Sequence, residues 1–434
     1  MQELAQIFAA RQAAAVQDSS APPHASQTVM HDVVVVSFGA LAVGVAAGIA
    51  AAGFLYLLEL ATRTRLSTPW LIVGLPFVGA ALVSSYRRFG RVAQRGMSVI
   101  LDDIAATEPL SISSTVPRRM APMVLAGTLV THLFGGSAGR EGTAVQMSAS
   151  MASTLASVAR TAGMPRRLFL VAGIAGGFGA VFGTPIAGSL FALEVIRRRV
   201  PWRMVGLAIV PATIAAFVGD RVCLALGTVH TPFDAGAALP LDGLLIAKWL
   251  ALAVAAAGCA HGYIWLVDTI RRYGAVLPAP LLAALGGAVV VVALLLVDDL
   301  YAGLGVPTIV RAFSDPALPN YAFAMKLGLT AVTIAVGMIG GEVTPLFFVG
   351  ATLGNAMATW LGVPIALAAA VGMVAVFAAA ARTPLALIAM AGELFGGHVM
   401  VHAAIAIAGA ELLMLRTSIY ALWPKPAPAI SPPS

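Results

Sequence analysis

Residues 139–143 read GREGT and residues 340–344 read GGEVT, so a G-x-E-x-T element occurs twice, 201 positions apart. A second element follows each copy, because residues 184–187 read TPIA and residues 383–386 read TPLA, at an offset of 199. Similarity between Ala- and Gly-rich segments does not explain paired carboxylates in the same order at nearly the same spacing. The chain therefore contains two related halves.

A further carboxylate follows each T-P-x-A element, Glu194 in the first half and Glu393 in the second. Two related halves with interrupted apolar segments in corresponding places are typical of a transporter whose site lies where the repeats meet. We therefore predict a substrate site between the halves.

The composition indicates a membrane protein. Of the 434 residues, 59% are hydrophobic and 10% are charged. Soluble domains carry about 25% charged residues and disordered chains have low hydrophobicity, so both classes are excluded. The net charge of +7 comes mostly from short Arg clusters, such as those in 87–95 and Arg197–Arg199. These clusters are typical of cytoplasmic loops and lipid headgroup contacts rather than nucleic-acid binding. We expect an all-α polytopic membrane protein.

Apolar runs of about 20 residues indicate the domain organisation. We predict an N-terminal interfacial helix and linker over 1–32, membrane repeats over 33–235 and 236–423, and a Pro-rich C-terminal tail over 424–434. The uncharged run 343–381 is interrupted by proline and glycine. Such backbone is tolerated at membrane depth only where protein or a water-filled cavity adjoins it, which predicts broken and half-length helices.

Glu141 and Glu342 lie on Gly-rich turns that open apolar segments, where we expect helix N-termini. A helix start offers unpaired N–H groups and roughly half a positive charge, which together form a ready anion site. Two such starts that meet inside the membrane can hold a dehydrated anion without a full cation, and so can release it.

A glutamate at such a site is suited to coupling protons to anions. Apolar surroundings disfavour its ionised form, whereas the helix end and Arg140 favour it. A carboxylate that occupies the anion site when charged and leaves it when protonated links the two movements. We predict this role for Glu141 and Glu342, and a structural role for Glu194 and Glu393.

The chain resembles the CLC family of chloride channels and anion/proton antiporters over about residues 30–423. Residues 139–142 look like the family's G-R-E-G element, whose glutamate is the external gate and proton acceptor. Residues 172–194 are similar to the Gly-rich helices that follow, Gly341 to Pro345 match the third anion-binding loop, and Tyr420 matches a tyrosine whose hydroxyl faces the central anion. The resemblance implies two inverted-topology repeats with full and broken helices.

Departures from the family pattern indicate which branch of the CLC family the chain resembles. Where chloride-selective members carry G-S-G-I-P, residues 96–100 read GMSVI, which puts Met97 at the serine position. Thr143 replaces the usual proline, and the third loop contains Glu342 and Thr344. Together these residues resemble the fluoride/proton antiporter branch.

Two further observations bear on this branch. Val195 aligns with the internal proton-relay glutamate of many chloride exchangers, as it does in the fluoride branch. Ser98 and Ile100 do not fit, because some members have phenylalanines just after the methionine.

The donor chemistry agrees with fluoride, which is small, strongly hydrated and a powerful hydrogen-bond acceptor. Thr344 and Tyr420 can donate hydroxyls, whereas Met97 is only a weak acceptor. Core filling for Met97 and helix capping for Thr344 are the structural alternatives. The predicted site has Glu141 and Glu342 for gating and proton transfer, and Met97, Gly139, Arg140, Gly142, Thr143, Val343, Thr344 and Tyr420 for anion binding.

Two other functions stay open. One is a CLC-type chloride transporter, either an exchanger or a passive channel. The other is an intramembrane serine hydrolase, because residues 135–139 fit G-x-S-x-G around Ser137 and His132 lies nearby. A nucleophile elbow needs a strand–turn–helix in an α/β sheet, which this composition excludes, so we expect no enzyme activity.

We therefore expect a proton-driven fluoride exporter in a bacterial-type inner membrane, with fluoride or chloride ions, protons and the lipid bilayer as partners. The resemblance implies a homodimer with one pathway per subunit. No motif predicts a cofactor, a metal site or nucleic-acid binding.

Overall fold

The computed structural model describes residues 24–106, 116–159, 163–237, 239–297, 299–415 and 417–420. Residues 1–23 of the predicted interfacial helix and linker (1–32) and the Pro-rich tail lie outside these residues. Within them the regular structure is helical, as the composition predicts.

Sixteen α-helices are described, and long apolar runs without strand-like alternation account for them. Proline opens α-helical segments at Pro185 and Pro384, where its missing N–H would have had no partner in any case. In chain order the helices are α1 (His24–Ser67), α2 (Leu75–Phe89), α3 (Met97–Ala105), α4 (Met120–Leu133), α5 (Glu141–Val158), α6 (Gly163–Phe182), α7 (Pro185–Arg197), α8 (Trp202–Ala225), α9 (Gly243–Gly274), α10 (Ala279–Leu296), α11 (Val306–Arg311), α12 (Ala322–Ala335), α13 (Val343–Leu361), α14 (Ile365–Ala381), α15 (Pro384–Phe395) and α16 (Gly397–Leu413).

These helices form two sets in the same order, α1–α8 and α9–α16. Each set begins with a long helix, of 44 residues in α1 and 32 residues in α9. Six described helical segments are long and apolar enough to cross a membrane, whereas α4, α12, α14, α15 and α16 have only 10–17 residues. A helix of that length falls short of a hydrocarbon core of about 30 Å. The predicted fold of full and half-length helices in two halves is confirmed.

The uncharged run 343–381 is divided as expected. Helix α13 ends at Leu361, Gly362 takes a left-handed conformation with φ +57°, and α14 begins directly after Pro364. A positive φ favours glycine, and proline cannot continue the preceding helix. The break therefore follows from these two residue types.

The first helix is longer than the sequence indicated. The predicted interfacial helix and linker covers residues 1–32, and α1 begins within it, at His24, and continues to Ser67. Extending an existing helix costs little compared with starting one, and the sequence has prolines at positions 22 and 23. Helical structure thus extends back from the apolar run to the residue after these prolines.

Helices α7 and α15 run antiparallel where the halves meet, and each holds the first turn of the other. The Glu194 carboxylate, near the end of α7, accepts hydrogen bonds from the N–H groups of Leu385 at 3.1 Å and Ala386 at 2.8 Å. The Glu393 carboxylate, near the end of α15, accepts from two N–H groups in the first turn of α7, at 2.9 and 2.8 Å. Corresponding helices therefore run in opposite directions, which is inverted topology.

Ion pairs fix α3 at the face that carries the arginine clusters. Asp102 pairs with Arg199 at 2.8 Å and with Arg95, and Asp103 pairs with Arg166 of α6 at 2.9 Å. These contacts join α3 to the ends of α6 and α7. They position the start of α3, where Met97 lies.

Candidate functional site

The two G-x-E-x-T elements meet at the interface between the halves. Gly139 and Gly341 form an antiparallel β-bridge, in which the Gly341 N–H donates to the Gly139 carbonyl at 2.8 Å and the reverse bond is also present. Helix α5 begins two residues after Gly139, and α13 begins at the buried Val343, two residues after Gly341. The prediction that two duplicated helix starts converge is thus met by the geometry.

The glycines of the two elements allow this close approach. A Cβ atom on Gly341 would lie 2.8 Å from the amide nitrogen of Gly142, and one on Gly139 would lie 2.9 Å from the Gly341 carbonyl oxygen. Either contact would force one backbone away from the other. The glycines therefore serve the contact between two main chains.

Glu141, the first residue of α5, is fully buried, and its carboxylate crosses to the start of α13. The Thr344 N–H donates to one carboxylate oxygen at 3.1 Å, and the Thr344 hydroxyl lies within hydrogen-bond distance of both oxygens. The backbone N–H and the Nε of Arg140 each donate at 3.2 Å. Donors from both halves of the chain thus hold this one carboxylate.

The position of this carboxylate identifies a place where an anion can bind. The unpaired N–H groups and the dipole of α13 favour negative charge, and Thr344 adds a hydroxyl donor. Hydrogen bonds to an ionised acceptor are about twice as strong as neutral ones. Protonation of Glu141 therefore weakens its hold on these donors, which another anion can then use.

Glu342 occupies the matching position of the second half, but its surroundings differ. It directly precedes α13, and its side chain is partly accessible rather than buried. It lies close enough to interact electrostatically with Glu141 and with two tyrosines, Tyr420 and Tyr263 of α9. The two predicted acids and the predicted tyrosine therefore share one region, together with Tyr263, which no motif had indicated.

Two predicted anion ligands lie away from these donors. The buried hydroxyl of Thr143 forms a hydrogen bond with the hydroxyl of Thr128 at 2.6 Å, which links α5 to α4. Met97 is partly buried against the apolar core at the start of α3. The neighbouring Gly96 faces the side-chain amide of Gln146 on α5, a donor that sequence reasoning missed. Roles for Thr143 and Met97 in anion binding stay predictions.

A small cleft of about 30 Å³ reaches Glu141, and it has room for water. Its walls include the aromatic side chains of Phe182 and Phe347 and the imidazole of His230. His230 lies in the connection between α8 and α9, outside every repeated motif. No sequence signal marked it as part of the site.

The serine of the G-x-S-x-G match lies in a structural pair. The Ser137 hydroxyl is fully buried and lies 2.9 Å from the Thr330 hydroxyl. The two ring nitrogens of His132 lie 2.8 Å and 3.0 Å from the carbonyl oxygens of Thr128 and Ala138. Ser137 and His132 therefore each form hydrogen bonds with other residues and not with one another.

Comparison with known proteins gives concordant results. The family model described as voltage gated chloride channel matches residues 78–414. A chloride/fluoride channel protein of Pseudomonas syringae pv. tomato is 43% identical over 392 residues, which cover 87% of this chain and 84% of the relative.

Solved structures share the fold. The crystal structure of a CLC-type fluoride/proton antiporter superposes with a TM-score of 0.83 at 32% identity, over 90% of this chain and 97% of that one. A slow cyanobacterial Cl⁻/H⁺ antiporter gives a TM-score of 0.74 at 20% identity, over 87% and 94% of the two chains.

Proposed function

Because the chain belongs to the voltage gated chloride channel family, the CLC family, we propose that it is an anion/proton antiporter that exports fluoride. The Pseudomonas relative is named for chloride and fluoride, and the similar crystal structure is that of a fluoride/proton antiporter. The residues that resemble the fluoride branch, Met97, Glu342 and Thr344, support the same substrate.

The carboxylate of Glu141 at the start of α13 is the observation that carries this proposal. In its ionised form it accepts the hydrogen bonds of Thr344 and Arg140 and so occupies the anion site. When it takes up a proton, its bonds to these donors weaken and the side chain leaves. A fluoride ion then binds the vacated donors, and loss of the proton returns the carboxylate to them. One site thus exchanges an anion for a proton.

The donor set explains a preference for fluoride. Removing water from a small anion requires strong, short hydrogen bonds, which the N–H and hydroxyl of Thr344 supply. Tyr420, which is buried in the same region, offers a second hydroxyl. Met97 stands where chloride-selective relatives have a serine donor and contributes no N–H or O–H from its side chain. Glu342 serves the proton route on this proposal.

Purified protein in liposomes provides the test, with fluoride and chloride efflux measured separately by ion-selective electrodes under a proton gradient. We expect proton-driven fluoride transport with much slower chloride transport. Equal rates for the two ions would refute the fluoride assignment and favour the second candidate, a CLC-type chloride exchanger or passive channel. Proton-driven uptake that persisted in Glu141→Gln would refute the role of Glu141.

The chain is a multi-pass membrane protein, given its family and its six apolar helical segments long enough to span. We propose that it acts in a bacterial inner membrane as a homodimer with one pathway per subunit. A transporter rather than a serine hydrolase is supported by the pairing of Ser137 with Thr330. Intact transport and absent proteolysis in Ser137→Ala are the expected results.

A further inference from the structure

The cleft above Glu141 lies at the face opposite the arginine clusters. Its wall includes Phe182, the last residue of α6. Helix α7 starts just after this residue and ends at Arg197, about 20 Å away along its axis. Because arginine clusters mark the cytoplasmic side, the cleft is on the outer side of the protein.

The partly buried His230 and the buried Asp220 form a pair at this outer cleft. The His230 side chain is 18% exposed and the Asp220 side chain 2% exposed, and His230 Nε2 lies 3.7 Å from Asp220 Oδ1. Neither of these two buried atoms has a hydrogen-bond partner among the described residues. The distance is too long for a direct hydrogen bond, and a separation beyond 3.5 Å is one that a water molecule can bridge.

The second half of the chain has a different pair at the corresponding place. The residue before each Thr-Pro turn is left-handed, with φ +70° at Gly183 and φ +62° at Arg382. The Arg382 guanidinium pairs with Glu411 of α16 at 3.0 Å. Gly183 lacks a side chain, and the ring of His230 lies against it, facing Asp220 of the corresponding helix α8. The turn before α15 therefore has a permanently charged arginine beside a carboxylate, whereas the turn before α7 has a histidine beside one.

The charges around the imidazole are mixed. Arg221 Nε lies 3.3 Å from the second oxygen of Asp220 and is mostly exposed. Arg140 and Glu141 line the cleft, and Glu393 of α15 is in electrostatic contact with Asp220. Three carboxylates and two arginines therefore lie at the cleft or beside the His230–Asp220 pair.

We propose that His230, held in place by Asp220, is the outer proton donor and acceptor for Glu141. This role rests on the antiport proposed above. The two side chains border one cleft with room for water, and an imidazole changes charge near neutral pH. No described residue outside the duplicated elements combines these features at the cleft.

The proton transfer takes place in two steps. Protonated His230 gives a ring N–H proton to a water in the cleft, and that water passes one proton to a carboxylate oxygen of Glu141. The neutral imidazole then takes a proton from the outer solution, which restores the starting state. In the reverse direction the neutral imidazole accepts the proton that Glu141 releases. Asp220 is a positioning residue, because its carboxylate faces the ring and orients it.

The test compares His230→Gln with wild type in liposomes at equal inner and outer pH, using fluoride efflux and accompanying proton uptake as readouts. We expect similar rates at about pH 5, where solution protons reach Glu141 directly. At about pH 7.5 we expect a loss on the order of tenfold, smaller than a positioned proton donor usually contributes because water still reaches the cleft. Imidazole added outside should restore the lost rate.

His398→Gln is the matched control, because His398 lies near the same outer loop and bonds to the Gly236 carbonyl at 3.1 Å without lining the cleft. It should retain the wild-type pH profile. Asp220→Asn should shift the profile in the same direction as His230→Gln, and the double variant should be no worse than the stronger single variant. A wild-type profile in His230→Gln, or a rate loss that is equal at all pH values and unaffected by imidazole, would overturn the relay. Absence of fluoride/proton exchange in wild type would instead overturn the proposed function.

Discussion

Replacing Thr344 by valine tests whether one hydroxyl serves both the Glu141 carboxylate and the transported anion. Valine keeps the β-branched shape at a position that is 4% exposed, and it removes only the hydrogen-bond donor. In wild type the hydroxyl binds the carboxylate before exchange and the anion after it, so the substitution weakens both competitors. In a Glu141→Ala background no carboxylate competes, and the substitution weakens only the anion.

The magnitude follows from the charge on the acceptor. A hydrogen bond to a charged group contributes about 1.5–3 kcal/mol, and about 1.4 kcal/mol is a tenfold change in affinity. We therefore expect Thr344→Val to weaken fluoride binding by about 10- to 150-fold in the Glu141→Ala background. In the presence of Glu141 the weaker bond to the carboxylate offsets the weaker bond to fluoride. We therefore expect the free energy of fluoride binding to change by less than half as much as in the Glu141→Ala background.

Isothermal titration of purified protein with fluoride measures both affinities. Thr352→Val is the matched control, because Thr352 lies on the same helix, is 3% exposed and donates to the Phe348 carbonyl at 2.8 Å instead of to the site. If Thr344→Val weakens binding in the Glu141→Ala background no more than Thr352→Val does, Thr344 is not an anion ligand.

Four other substitutions test three separate parts of the structure. Gly341→Ala should lower stability by about 1–3 kcal/mol and reduce fluoride flux, because its Cβ atom would contact the other half. Gly328→Ala, inside α12 with open space around it, should not lower stability or flux, because alanine is the better helix former. Equal thermal unfolding of the two variants would contradict this. Glu194→Ala and Glu393→Ala should each lower the stability of the fold by about 1–3 kcal/mol, because each leaves helix-start N–H groups unpaired. In thermal unfolding of the double variant the two losses of stability should add. Unchanged stability in both single variants would show that these caps are dispensable. Tyr420→Phe should weaken fluoride binding by about 0.5–1.5 kcal/mol, and unchanged affinity in titration would exclude its hydroxyl as a ligand.

The duplicated motifs predicted the arrangement of the fold because each motif residue has a local reason to be where it is. The glycines of the G-x-E-x-T elements allow two backbones to touch, and Gly362 and Pro364 end and restart helices whatever their neighbours do. The paired carboxylates of the T-P-x-A…E elements also follow from the repeat. What the repeat did not show is that Glu194 and Glu393 bind each other's helices.

The direction of side chains depends on contacts that are distant in sequence, and these were not predictable. Glu141 and Thr344 are 203 positions apart, and nothing in either motif states that they form a hydrogen bond. Thr143 belongs to the same motif as Glu141, yet its hydroxyl turns to Thr128 on another helix. His230 lies in a connection without repeat or motif, so only the folded chain brings it to the cleft.

The reciprocal bonds of α7 and α15 restrict how this molecule can move. They join the halves at both ends of the α7–α15 pair, and the bridge between Gly139 and Gly341 joins them at a third place. Tilting one half against the other as a rigid block, the rocking motion by which many secondary transporters alternate their access, would have to break the bonds at all three places. These bonds therefore favour movements of single side chains over rocking of whole halves.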